Sequence, residues 1–144
     1  MKLILMGVLA LAASVSVAQK AVATSGVTLW QKGIPRQGIG QKDDYGNHIV
    51  SISHREKNGF VEVHETKADV MIIQSGTATL VVGGKVLNLH RTEPNELQGS
   101  GIEGGQKFEV GPGDVIHIPI GVPHQYLLKP GTQITYLLVK IVSL

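Results

Sequence analysis

The sequence contains no cysteine among its 144 residues. This absence excludes disulfide bonds, thiolate metal sites and cysteine nucleophiles. Charge is also scarce, because 13 Lys and Arg residues against 11 Asp and Glu residues give a formal net charge of +2, and no basic run exceeds two residues. The chain therefore lacks the basic surface that nucleic-acid binding requires, and we expect no nucleic-acid partner.

Aromatic residues make up only 4% of the chain, whereas 18 residues are glycine. No helical periodicity of useful length occurs in the sequence. This composition favours many short strands and turns over long helices. The length corresponds to one domain that is large enough to bury a core.

The N-terminus has the three-part layout of a secretory signal. A short basic start precedes an apolar run, Leu3–Leu11, and the small residues Ser16 and Ala18 stand where a signal peptidase cleaves. We therefore predict that residues 1–18 are a signal peptide, that the protein is secreted or periplasmic, and that it has no membrane association after cleavage. An uncleaved anchor is the alternative, although this apolar stretch is at the short end of the roughly 17–25 residues that a membrane span needs.

The rest of the chain divides into a polar N-terminal arm, residues 19–47, and a β domain, residues 48–144. The arm has one candidate strand near Gly26–Gln31, and the polar, Gly-containing segment 90–107 is predicted to be a long loop. Elsewhere, short alternating or β-branched runs separated by turn residues are typical of a sandwich or barrel. The predicted strands are Ile49–Ser53, Phe60–Glu65, Val70–Gln74, Thr77–Val82, Lys85–Leu89, Phe108–Val110, Val115–Ile118, His124–Leu128 and Thr132–Val142.

A small set of polar residues falls on strands where a barrel interior would receive them. Glu62 and His64 project to one face because residues two apart in a strand share a face. Asp69 begins the next strand, and His124 follows a proline-rich turn, with Tyr126 on the same face as a pocket-lining residue. Imidazoles and carboxylates on rigid strands suit a divalent transition metal with open coordination positions. The alternative is a hydrogen-bonded polar cluster that closes the barrel without a metal.

The segment that ends at His124 resembles the second motif of the cupin superfamily. Gly113, Pro119, Gly121 and His124 match that motif at every spacing, and only its closing Asn is replaced, by Leu128.

The segment around His64 resembles the first cupin motif. His64 stands at the second His of that motif, Asp69 stands where the motif has Glu, and Gly76 follows at the expected interval. Glu62 replaces the first His. The resemblance extends over roughly residues 48–142. It implies an all-β, double-stranded β-helix (jelly-roll) barrel in which His64, Asp69 and His124 are metal ligands.

The resemblance also implies function, as an isomerase, lyase or dioxygenase acting on a small polar molecule through a divalent metal such as Zn, Mn, Fe or Ni. Glu62 would be a fourth metal ligand or the catalytic general base, and the donor set would be richer in oxygen than a site of three histidines. A non-catalytic module that binds a sugar or another small molecule is the alternative, as is a metal-free structural barrel. Because exposed sheet edges need covering, we expect a homodimer.

Overall fold

The computed structural model describes residues 28–30, 33 and 42–143. The predicted signal peptide and most of the predicted arm lie outside these residues. The described part of the chain consists of β-strands and connecting turns, which confirms the all-β prediction. No helix in this part is both long enough and apolar enough to span a membrane.

Thirteen strands follow one another within the described residues. They are β1 (Lys42–Asp44), β2 (His48–Arg55), β3 (Val61–His64), β4 (Lys67–Gly76), β5 (Ala78–Val82), β6 (Lys85–Leu87), β7 (His90–Glu93), β8 (Glu96–Gly99), β9 (Gly101–Glu103), β10 (Gln106–Val110), β11 (Val115–Ile118), β12 (His124–Leu127) and β13 (Ile134–Val142).

Two larger sheets carry most of these strands. The order is β1-β2-β13-β4-β11 in the five-stranded sheet and β10-β5-β12-β3-β8-β7 in the six-stranded sheet, while β6 and β9 form a separate two-stranded sheet. Every strand pair is antiparallel, and strands distant in sequence are neighbours in both larger sheets. This crossed order is what a jelly roll requires.

The hydrophobic core lies between the two larger sheets. Its buried members come from β4, β5, β10, β11, β12 and β13, and they alternate with more exposed residues along most of these strands. Burying a large aliphatic side chain contributes about 1.5–3 kcal/mol. The members are Met71, Ile73, Ala78, Leu80, Val110, Ile118, Tyr126, Ile134 and Tyr136. Among the described residues, His64, Asp69, His124 and Gln125 are polar and also buried.

The prediction of a long loop over residues 90–107 was wrong. Most of this segment is strand, comprising β7, β8, β9 and the start of β10. Pro94 and Asn95 form the two-residue connection between β7 and β8, and Asn95 has a positive φ of 64°. The segment lacks apolar alternation because β7 is an exposed edge strand, so the usual sign of a strand is missing.

The predicted arm also contributes to the sheet. Its residues Lys42–Asp44 form β1, which pairs with β2. The candidate strand near Gly26–Gln31 lies partly outside the described residues, and residues 28–30 are not in a strand. Trp30 lines a surface cavity together with Tyr45 and His48.

Candidate metal centre

Three strands from both sheets bring the site together. Glu62 and His64 lie on β3, and the register of the sheet places His124 of β12 directly opposite Glu62. Asp69 reaches the same point from β4 in the facing sheet and is only 1% exposed. His124 follows a turn in which Gly121 adopts a positive φ of 76°, and the Gly121 N–H donates a 2.8 Å hydrogen bond to the His64 carbonyl.

The donor atoms of these four residues converge. Asp69 Oδ2 lies 3.3 Å from His64 Nε2 and 3.5 Å from His124 Nε2. Glu62 Oε2 lies 3.7 Å and 4.0 Å from the same two nitrogens. Glu62, His64 and His124 form a candidate metal-binding group whose ligand atoms all lie within 4.8 Å of one another, and Asp69 is not part of that group.

The separations fit a metal ion. Ligand atoms about 2.0–2.2 Å from a tetrahedral zinc-type ion lie about 3.3–3.6 Å from one another. The distances from Asp69 to both imidazoles, 3.3 Å and 3.5 Å, fall in this range, whereas those from Glu62, 3.7 Å and 4.0 Å, lie above it. Imidazole nitrogens and carboxylate oxygens are donor types that suit a divalent transition metal.

In each imidazole, Nδ1 forms a hydrogen bond with an oxygen outside the centre. His64 Nδ1 is hydrogen-bonded to the Glu96 carboxylate, and His124 Nδ1 donates to the Val122 carbonyl at 3.1 Å. Lys67 in turn donates to Glu96 at 2.7 Å. This arrangement fixes the ring orientation and leaves both Nε2 atoms directed to the shared point, as in metal sites whose histidines have carboxylate or carbonyl partners.

The two histidines differ in their electrostatic surroundings. Burial disfavours the charged form of His64, but the hydrogen bonds to Asp69 and Glu96 outweigh it, so its pKa is raised above the ordinary value. Burial dominates at His124 and lowers its pKa. The two imidazoles of the centre are therefore shifted in opposite directions, with the pKa of His64 raised and the pKa of His124 lowered.

The carboxylates are held in the ionised form. Burial opposes ionisation of Asp69, but its hydrogen bond with His64 and the charge of Lys140 lower its pKa overall. Burial likewise opposes ionisation of Glu96, and the hydrogen bonds from Lys67 and His64 outweigh it. Ionised oxygens are the form in which carboxylates bind a metal.

Glu62 stands between two cavities. Its Oε1 accepts a 2.9 Å hydrogen bond from Arg55 while its Oε2 faces the histidines. One cavity, of about 210 Å³, is also lined by Arg55, Ser53, Tyr126 and Tyr136. The other, of about 310 Å³, lies on the side of Lys67 and Lys140. A small polar molecule in either cavity would lie beside Glu62.

Tyr126, predicted as pocket-lining, contacts the first cavity but is only 3% exposed. Its hydroxyl donates to Met71 Sδ at 3.1 Å, and burial raises its pKa. The phenol therefore stays protonated.

Sequence reasoning missed three residues that contact this centre, namely Arg55, Glu96 and Lys140. Glu96 was assigned to the wrongly predicted loop. Lys140 and Arg55 lie near the ends of β13 and β2. Alternation along β13 could have indicated that Lys140 faces the interior, because Ile134, Tyr136 and Leu138 share its face and pack in the core.

Comparisons with known proteins provide structural similarity alone. No protein-family profile matches the sequence, and no curated protein is significantly similar to it. Among solved structures, hydroquinone 1,2-dioxygenase from a Sphingomonas species, solved with 4-hydroxybenzoate bound, aligns with a TM-score of 0.52 and 8% identity over 74% of this chain and 68% of its own.

Other similar structures align less closely. A cupin protein from Bacteroides fragilis has a TM-score of 0.48 and 19% identity over 67% of this chain and 66% of its own. The polyketide cyclase RemF from Streptomyces resistomycificus has a TM-score of 0.46 and 23% identity over 65% and 54%. The chain thus spans less than two thirds of the length of either protein. Together with the strand order, the alignment with a TM-score of 0.52 supports the all-β jelly-roll fold, and it shows the fold alone.

Proposed function

We propose that the protein binds one divalent transition metal ion through Glu62, His64, Asp69 and His124 and acts on a small polar molecule beside it. The observation that carries this proposal is the paired orientation of the two imidazoles. Each has its Nδ1 engaged by an oxygen outside the centre, and each directs Nε2 towards the same buried carboxylate. A purely structural cluster does not require both rings to be oriented in this way.

A bound metal would act as a Lewis acid or lower the pKa of a bound water. The residues of the chain supply the positioning. Arg55 fixes Glu62 through Oε1, so that Oε2 is available either as a fourth ligand or as a general base. We favour the ligand role because Oε2 lies within 4.0 Å of both imidazole nitrogens.

The adjoining cavity indicates the kind of molecule. At about 210 Å³ it is small, and its lining combines the polar groups of Ser53 and Arg55 with the rings of Phe60 and Tyr136. A compact molecule with polar groups matches this lining. Isomerase, lyase and dioxygenase reactions are all compatible with a metal at this place, and non-catalytic binding of the same molecule is the second candidate function.

Metal analysis of protein purified without a histidine tag tests the proposal. We expect about one Zn²⁺, Mn²⁺, Fe²⁺ or Ni²⁺ per chain by elemental analysis after loading and desalting. His124→Gln should abolish this stoichiometric binding, because it removes a ligand nitrogen. His117→Gln is the matched control, since His117 is exposed on β11, and it should bind metal as the wild type does. Absence of metal in the wild-type protein under all four loading conditions would refute the proposal.

A further inference from the structure

A lysine lies on the interior face of the barrel beside the centre. Along β13, Ile134 and Tyr136 are buried in the core, and Leu138 and Lys140 continue the same alternation. The register places Lys140 directly opposite Asp69 of β4. The side chain of Lys140 is 19% exposed, so most of it is buried within the barrel.

The ammonium group contacts the atoms that would bind the metal. Lys140 Nζ lies 3.0 Å and 3.2 Å from the two Asp69 oxygens and 2.6 Å from His64 Nε2. When Nδ1 of neutral His64 donates to Glu96, Nε2 is the one ring nitrogen that still carries a lone pair. That lone pair can accept a hydrogen from Lys140 or bind a metal, and it cannot do both.

We propose that Lys140 is an internal cation that occupies the centre in the metal-free protein and must be displaced when a metal binds. The inference rests on the proposed metal-binding function. Without Lys140, Asp69 would be a buried carboxylate with only histidines beside it, which is costly in a low-dielectric interior. Lys140 thus keeps the metal-free barrel folded and lowers the affinity of the centre for metal.

The structure provides a place for the displaced side chain. Lys140 lines the cavity of about 310 Å³, whose lining includes the carboxylates of Glu93 and Glu96. Under this proposal, a change of side-chain rotamer would move the ammonium group from Asp69 into this cavity. Metal binding therefore exchanges one cation for another at Asp69.

Lys140→Met tests the competition, because it keeps the length of the side chain and removes the charge. We expect Zn²⁺ to bind this variant about 10- to 100-fold more tightly than the wild type in a chelator competition assay, the range for losing one charge-assisted hydrogen bond to the competitor. We also expect metal to raise its thermal midpoint more than that of the wild type. Lys42→Met is the control, because Lys42 lines the same cavity and its removal changes the net charge equally.

The outcomes separate the two proposals. Equal or weaker Zn²⁺ binding by folded Lys140→Met overturns the role of Lys140 and leaves the metal centre intact. Binding by neither protein overturns the metal centre itself. Binding by Lys140→Met alone supports the role of Lys140 and refutes metal binding by the wild type.

A measurement on the wild-type protein covers the case in which Lys140→Met does not fold. The side-chain Cε resonances of Lys140 and Lys42 can be followed by NMR while Zn²⁺ is added. Displacement predicts a large shift for Lys140 and little change for Lys42. An unshifted Lys140 resonance at saturating Zn²⁺ would overturn the proposal.

Discussion

Glu96→Gln removes the charge that holds His64 while preserving the size of the side chain. Glu96 accepts from His64 Nδ1 and from Lys67, and its side chain is 20% exposed. A glutamine oxygen still accepts from Nδ1, but a neutral acceptor polarises the ring less. His64 Nε2 then becomes a weaker metal ligand, and we expect the affinity for metal to fall.

The size of the effect follows from the general behaviour of carboxylates that support metal-bound histidines. Loss of a carboxylate partner behind a metal-bound histidine weakens metal affinity about 10- to 100-fold, or about 1.4–2.7 kcal/mol. Glu96→Gln retains a hydrogen bond and should lie near the lower limit, whereas Glu96→Ala also frees the ring to rotate and should lie near the upper limit. The lost ion pair with Lys67 is partly exposed and contributes at most about 1 kcal/mol to folding.

Zn²⁺ competition with a chromophoric chelator measures these affinities at fixed pH and ionic strength. Glu65→Gln is the matched control, because Glu65 neighbours His64 in the chain but is exposed and paired with Arg91. It changes the net charge equally and should leave the affinity within about twofold, as expected for a surface ion pair. Affinities of both Glu96 variants that match the wild type would refute the supporting role of Glu96.

Three further predictions concern the centre and the chain start. Glu62→Gln should weaken metal binding if Glu62 is a ligand; normal metal content with turnover reduced about 10²- to 10⁴-fold would instead identify a general base. Metal affinity should fall as pH drops, because protons compete with the metal for the histidine nitrogens. Burial lowers the pKa of His64, but the hydrogen bond to Asp69 outweighs burial and raises it, so the fall should begin at or above about pH 6.5. Chelator titrations from pH 8 to 5 check this, and constant affinity would contradict it. The mature chain should begin at Gln19, as intact mass of the exported protein would show.

The strand pattern and the centre differ in how far the sequence predicts them. Alternation of apolar and polar residues located β2 and β3 within a few residues, and the richness in β-branched residues located β4. The same period placed Glu62 and His64 on one face, because a strand has only two faces. Proximity to His124 came from the motif resemblance, since the pairing of β3 with β12 links segments about sixty residues apart.

The supporting residues were not predictable in the same way. Glu96 lies on β8, a strand of four residues in which Leu97 is the single large apolar residue, so the local pattern is too short to distinguish β8 from a loop. Lys140 has the parity of an interior residue, but its significance depends on Asp69 standing opposite it, which is a property of the register between β4 and β13. Long-range register is set by the whole sheet, not by the local pattern.

The turn before His124 has a consequence for the entropy of ligand binding. The Gly121 N–H donates to the His64 carbonyl, and the Gly83 N–H donates to the Pro123 carbonyl. These backbone hydrogen bonds fasten the turn to β3 and to the end of β5, on either side of β12. The spacing of the two imidazole-bearing backbones is thus fixed before any ligand arrives, so little conformational freedom remains to be lost upon binding.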